Sequence, residues 1–114
     1  MCGNCTCKPK ESSVLEMGKQ NLNGSHLVGR INSNYENIVR VFGQPNLEQH
    51  DGKTDAIWNG KIFGVPFNIY NWKNGSNYGY DIDIQDIKEW NIGGFGNEAE
   101  ALVKKYFVWK LEQV

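Results

Sequence analysis

The chain is poor in the residues that carry most enzyme chemistry. Among its 114 residues there are two histidines, His26 and His50, two arginines, Arg30 and Arg40, and no cysteine after Cys7. A cysteine nucleophile in the body of the chain is therefore excluded. No Gly-x-Ser-x-Gly elbow and no phosphate-binding Gly-rich loop is present, so the common acyl- and phosphoryl-transfer templates do not apply. No apolar run approaches the ~18 residues of a membrane span. The N-terminus lacks the apolar stretch of a signal peptide, which points to a cytosolic protein. A net charge of -1 argues against a general binder of DNA or RNA, which would be distinctly basic. It leaves room for a small anionic ligand held by two or three local cations. Proline is scarce, three against thirteen glycines, so many turns or close backbone approaches are expected.

What remains is room for one domain, and one that gains from assembly. The hydrophobic fraction of 39% is a little low for a monomer, but five Phe, five Tyr and four Trp supply large apolar area per residue. Residues 1–22 read as a flexible leader, with a short helical turn around Val14 to Met17, and the domain as residues 23–114. Cys2, Cys5 and Cys7 are close enough to suggest a soft metal, but a structural zinc site needs four ligands and the nearest histidine is His26. The simpler reading is a reduced tail, and no metal is assigned.

Ser25 to Ile31 predicts a strand, with Leu27, Gly29 and Ile31 on one side and Val28 and Arg30 on the other; Gly29 marks a bulge or a close approach. Asn32-Ser33-Asn34 is a helix start, followed by Tyr35, Ile38, Val39 and Phe42 at helical spacing. Gly43 and Pro45 end that helix. Asp55 to Ile62 and Pro66 to Trp72 read as strands joined at Phe63-Gly64-Val65. In the second, Phe67, Ile69 and Asn71 share one face and Asn68, Tyr70 and Trp72 the other. A loop, Lys73 to Asp86, leads to a strand from Ile87 to Ile92 closed by Gly93-Gly94. The last element is a helix capped by Asn97, with Glu98 and Glu100 in its first turn and an apolar stripe of Ala99, Leu102, Val103, Tyr106 and Phe107. The order β-α-β-β-β-α predicts an α+β fold, an antiparallel sheet of about four strands with two helices on one face. Its other face stays exposed unless copies assemble as a dimer or higher oligomer.

Two segments carry the candidate ligand chemistry. Asn68 to Tyr78 ends a strand and opens a loop, and it holds Tyr70, Asn71, Trp72, Lys73, Asn74 and Tyr78. Aromatics there can stack on a base, amides both donate and accept, and Lys73 can meet a phosphate as a point charge. Glu89-Trp90-Asn91-Ile92-Gly93-Gly94 adds an aromatic, an amide and two glycines; ahead of a helix, Gly93 and Gly94 would form an anion-holding corner. Arg30, in a strand beside Gly29, is the better phosphate clamp, and Arg40 is a surface residue. Against this, aromatics in strands are ordinarily core and Asn-Gly pairs ordinarily turns. Asp81, Asp83 and Asp86 lack the glycine and terminal glutamate of a calcium loop and read as a solvated acidic turn.

These motifs resemble a known family. Gly29-Arg30-Ile31, Phe42-Gly43-Gln44-Pro45, Lys53-Thr54-Asp55-Ala56 with Trp58, Ile69-Tyr70-Asn71-Trp72-Lys73-Asn74-Gly75 with Asn77-Tyr78, and Asp86-Ile87 with Trp90-Asn91-Ile92-Gly93-Gly94 are similar to the phage anti-Thoeris sponge family. The likeness covers roughly residues 24 to 107. It implies a viral anti-defence protein, acting in the cytoplasm of an infected bacterium, that sequesters cyclic ADP-ribose isomers made by a TIR-domain sensor and does not cleave them. Family members dimerise, and some form hexamers that also bind the cyclic di- or trinucleotides of CBASS signalling. Their ligand pockets lie at subunit interfaces. The resemblance implies that Trp and Tyr side chains flank adenine, that Asn71, Asn74 and Asn91 read its edge or the riboses, and that Arg30 with Lys73 or Lys88 meets phosphates. No catalytic residue and no cofactor is implied. The chain departs from the family at Phe95, where a polar or basic residue is expected, and in its Cys-containing leader.

Two other classes compete. An interaction module that inhibits a host protein would show exposed aromatics without a closed pocket. A cyclic nucleotide hydrolase would need a general base or metal near the Asn/Trp cluster, with Asp81, Asp83, Asp86 and Glu89 the nearby candidates.

Overall fold

The structure is a computed structural model, and it describes residues 14–47, 53–72, 74–75, 78–80 and 82–114. Strands β1 (Leu15–Met17), β2 (His26–Asn32), β3 (Ile57–Ile62), β4 (Val65–Tyr70) and β5 (Glu89–Gly94) form one sheet in the order β1-β3-β4-β5-β2. Every pairing is antiparallel. Helix α1 (Tyr35–Phe42) follows β2, and helix α2 (Asn97–Leu111) follows β5. The fold is the α+β class expected, with five strands where about four were expected. The additional strand is β1, in a segment expected to be a leader with a helical turn. It pairs with β3, matching Leu15 to Ile62 and Met17 to Gly60. Cys2, Cys5 and Cys7 lie outside the described residues.

Local chemistry accounts for the elements. The Asn34 side chain caps α1, accepting from the Asn37 backbone N–H at 2.8 Å. Gly43 ends the helix at a φ of 85° and donates its N–H to Val39 O, a conformation that favours glycine. Apolar residues recur every second position along the strands, and one set faces the helices: Ile31, Trp58, Ile62, Phe67, Ile69, Trp90 and Ile92 are all buried there. Gly60 and Gly94 fall on the same phase. A side chain on Gly94 would start 2.6 Å from the Ala99 Cβ of α2, so this glycine lets α2 lie close on β5. At the centre the Trp58 and Trp90 rings meet edge to face, 5.3 Å between centroids and 81° apart. Tyr35 of α1 packs on both. Such aromatic pairs contribute about 0.5–1.5 kcal/mol beyond their burial.

Three expectations need correction. The faces of β2 are not continuous, because the register slips between Leu27 and Gly29. Leu27 therefore lies opposite Gly93 and Gly29 opposite Ile92, on different faces of the sheet. Gly29 is a close approach: any side chain there would collide with the Glu100 carboxylate. Helix α2 is not capped by Asn97. Gly96 holds the cap position without a side-chain bond. Gly93 and Gly94 do not form a loop ahead of α2 but are the last residues of β5.

Candidate functional site

The helices cover one face of the sheet. Strand phase puts a different set of side chains on the other face, and the register aligns them into two rows. Ile57 of β3 pairs with Tyr70 of β4, Tyr70 with Asn91 of β5, and Asn91 with Arg30 of β2. In the adjacent row Asn59 pairs with Asn68, Asn68 with Gly93, and Gly93 with Leu27. Rows two residues apart along a strand are separated by about 7 Å. The face therefore presents amides, a phenol and a guanidinium within the span of one small ligand.

A polar pocket of about 170 Å³ opens on this face. Asn68, Tyr70 and Gly93 line it from the sheet, with Ile57, Thr54, Trp72, Ser25 and His26 around them. Gly93 makes it possible. A Cβ there would collide with Asn68 Oδ1 and touch the Tyr70 ring at 3.4 Å. Asn68 Oδ1 is buried with no hydrogen-bond partner among the described residues. Leaving such an acceptor unpaired costs about 1–3 kcal/mol; Asn59 Oδ1 and Trp90 Nε1 are also buried without a partner among the described residues, so the feature is not confined to the pocket. Tyr70 has its phenol pKa raised by burial, with the nearby Arg30 charge pulling weakly the other way. It stays a neutral hydrogen-bonding group at physiological pH.

Two charged groups flank the pocket. Arg30 Nε lies 3.8 Å from Glu89 Oε1, with both side chains more than half exposed. Such a pair contributes little, so Arg30 can exchange the carboxylate for a phosphate. On the other side Lys53 Nζ sits 5.4 Å above the Trp72 ring, a cation–π contact. Trp72 is 43% exposed, so its indole offers a stacking surface.

The structure sorts the expected site residues into groups. Tyr70, Trp72 and Gly93 line the pocket, and Arg30 and Asn91 share its face through the register. Asn71 does not line the pocket. It is fully buried, and its Oδ1 accepts from the backbone N–H groups of Asp55 at 2.7 Å and Ala56 at 3.1 Å. Its amide nitrogen donates to Asn74 Oδ1 at 3.1 Å, and Asn74 reaches Glu89 O at 3.4 Å. Both asparagines therefore hold the loop after β4 onto its neighbours. Trp90 is fully buried beneath the sheet against Trp58 and is core. Gly94 faces α2, so the anion-holding corner expected of Gly93 and Gly94 does not form. Tyr78 is exposed beside Tyr80, with ring centroids 5.9 Å apart, and is not part of the pocket wall. Lys88 is exposed ahead of β5 and does not line the pocket. Lys73, His50 and Asp81 lie outside the described residues.

Sequence reasoning missed His26, Ser25 and Thr54 as pocket residues. They come from segments distant in the chain, and only the sheet order brings them together. Asn68 was within reach, since it shares a strand phase with Tyr70 and Trp72. Asp83 caps the short turn Ile84–Asp86, accepting from Gln85 N–H at 2.9 Å, and Asp83 and Asp86 are exposed. Among the described residues no three His, Cys, Asp or Glu side chains gather as a metal site. No helix is long and apolar enough to cross a membrane, among the described residues. No family model, no curated protein and no solved structure matches the chain.

Proposed function

We propose that the chain is a binding protein that sequesters a cyclic nucleotide signal, a cyclic ADP-ribose isomer, on the open face of its sheet without cleaving it. Such a sponge would act for a phage in the cytoplasm of an infected bacterium and block Thoeris signalling. The observation that carries the reading is the pair of side-chain rows. Exposed Trp72 supplies a stacking surface, Asn68, Tyr70 and Asn91 supply hydrogen-bonding groups, and Arg30 supplies an exchangeable cation for a phosphate. This mix suits a ligand with a base, riboses and a diphosphate. A sponge works by mass action, so tight binding and not turnover is what it needs.

The pocket volume favours self-association. At about 170 Å³ it is smaller than the ~300–1,000 Å³ usual for ligand sites. A second copy placed against the open face would complete the enclosure, in a dimer or a larger assembly. A larger assembly could offer further sites for cyclic oligonucleotides of CBASS type.

One observation favours a second reading. His26 lines the pocket together with Ser25 and Thr54, and an imidazole is the commonest general base. A cyclic nucleotide hydrolase would use it. One experiment separates the two. Purified protein is incubated with a cyclic ADP-ribose isomer and filtered, the retained protein is heated, and the released small molecule is weighed by mass spectrometry. Depletion from the filtrate with intact release after heating is expected. A product heavier by one water, lost in His26→Ala, would establish the hydrolase, and no depletion would sink both readings.

A further inference from the structure

A second cavity lies away from the open face, between the β3–β4 hairpin and α2. It holds about 600 Å³ and, among the described residues, is walled by Val14, Ile62, Phe63, Leu102, Tyr106 and Trp109, with Lys105 the single charged residue of that lining. Three features set it apart from an accidental hollow. Helix α2 is apolar on two sides: Ala99, Val103, Tyr106 and Phe107 face the core, while Trp109 and Val108 stay about half exposed or more. The hairpin turn Phe63-Gly64 has both residues in the left-handed region, at φ of 48° and 78°. Turns of that kind favour Asn, Asp or Gly at their first position, yet the chain keeps a phenylalanine there, strained and 65% exposed, at the groove. Strain retained beside a cavity points to a contact the ring makes. Finally, Lys105 has no ion pair among the described residues, whereas Lys104 beside it bonds Glu100 at 3.0 Å.

We propose that this groove binds a free medium-chain fatty acid. The acyl chain lies between Phe63, Tyr106 and Trp109, and the carboxylate meets Lys105 Nζ. The charge pattern selects this occupant. Among the described residues the apolar lining carries one cation and no acid, which complements an amphiphilic monoanion and leaves a cationic amphiphile without a partner. An anionic bilayer finds little net attraction, because Glu98 and Glu100 offset two of the three lysines of α2, Lys104, Lys105 and Lys110, and the whole chain carries a charge of -1.

The test is calorimetric titration of the full chain with dodecanoate below its micelle concentration. Saturable binding of one molecule per chain is expected. Lys105→Glu should weaken it about tenfold or more, the loss of one charge-assisted contact. Dodecyltrimethylammonium should not bind. Phe63→Asn provides a second reading, since asparagine suits the left-handed turn. It should raise the melting temperature while weakening dodecanoate binding severalfold, so a folding defect cannot mimic the result. No saturable uptake, or equal uptake by Lys105→Glu, overturns the proposal. So does a dimer that Phe63→Asn dissociates without any dodecanoate binding, which would give the groove to a second copy of the chain.

Discussion

Deleting the same amide at two positions should give opposite outcomes. Asn71 and Asn91 both sit next to tryptophan in the sequence, but Asn71 is fully buried and Asn91 lies half-buried on the open face. Asn71→Ala leaves the Asp55 and Ala56 N–H groups, bonded at 2.7 and 3.1 Å, without their acceptor. Each buried donor left unpaired costs about 1–3 kcal/mol. Partial entry of water offsets some of this, so a net loss of about 3 kcal/mol is expected. At roughly 4 °C per kcal/mol for a domain of this size, the melting temperature should fall by ~12 °C. Asn91→Ala removes no comparable bond and should stay within about 0.5 kcal/mol of the parent. The assay is urea unfolding followed by tryptophan fluorescence, with thermal melts alongside. A loss below about 1 kcal/mol for Asn71→Ala, or equal losses at both sites, would refute the assignment of Asn71 to holding the loop and Asn91 to the ligand face.

Trp72→Ala removes a partly buried indole and its cation–π contact with Lys53, so it should cost about 1 kcal/mol of stability, but it should lower affinity for cyclic ADP-ribose by roughly ten- to a hundredfold, the worth of one base stack; equal affinity in a filter-binding assay would remove Trp72 from the site. Gly93→Ala drives a methyl into Asn68 Oδ1, so it should abolish ligand retention, and retention at parental levels would show that Asn68 is not positioned by that gap. Tyr70 has a pKa raised chiefly by burial, so the folded chain holds a proton that the unfolded chain gives up near pH 10. Stability should therefore fall as pH rises from about 10 towards the raised value. Tyr70→Phe should flatten that part of the profile, and an unchanged slope would contradict the assignment.

Much of the fold was legible because it is written in local signals. Asn34 and Gly43 bracket α1, period-2 alternation sets β4, and Ala99, Val103, Tyr106 and Phe107 mark the inner side of α2. Strand β1 was not legible, since three residues carry no periodicity and its evidence is a partner some 45 residues away in β3. The bulge at Leu27 was signalled only by Gly29, and reversing one residue there exchanges faces. The candidate site was legible as a composition but not as a geometry. Trp72 and Trp90 look alike in sequence; Trp90 follows the phase of Ile92 into the core, whereas Trp72 follows Asn68 and Tyr70 outward. Asn71 continues the phase of Phe67 and Ile69, which is why it is buried. The rows that join Arg30 to Asn91 and Asn68 to Gly93 exist only once β2 and β4 flank β5, and chain order alone does not reveal that.

The open face itself is tested most directly by amide and indole chemical-shift mapping during titration with a cyclic ADP-ribose isomer. Shifts centred on Asn68, Tyr70, the Trp72 indole, Asn91 and Gly93 are expected, with α1 unaffected. Shifts centred on α2 and the Phe63 turn, or none at saturating ligand, would contradict a ligand site on that face.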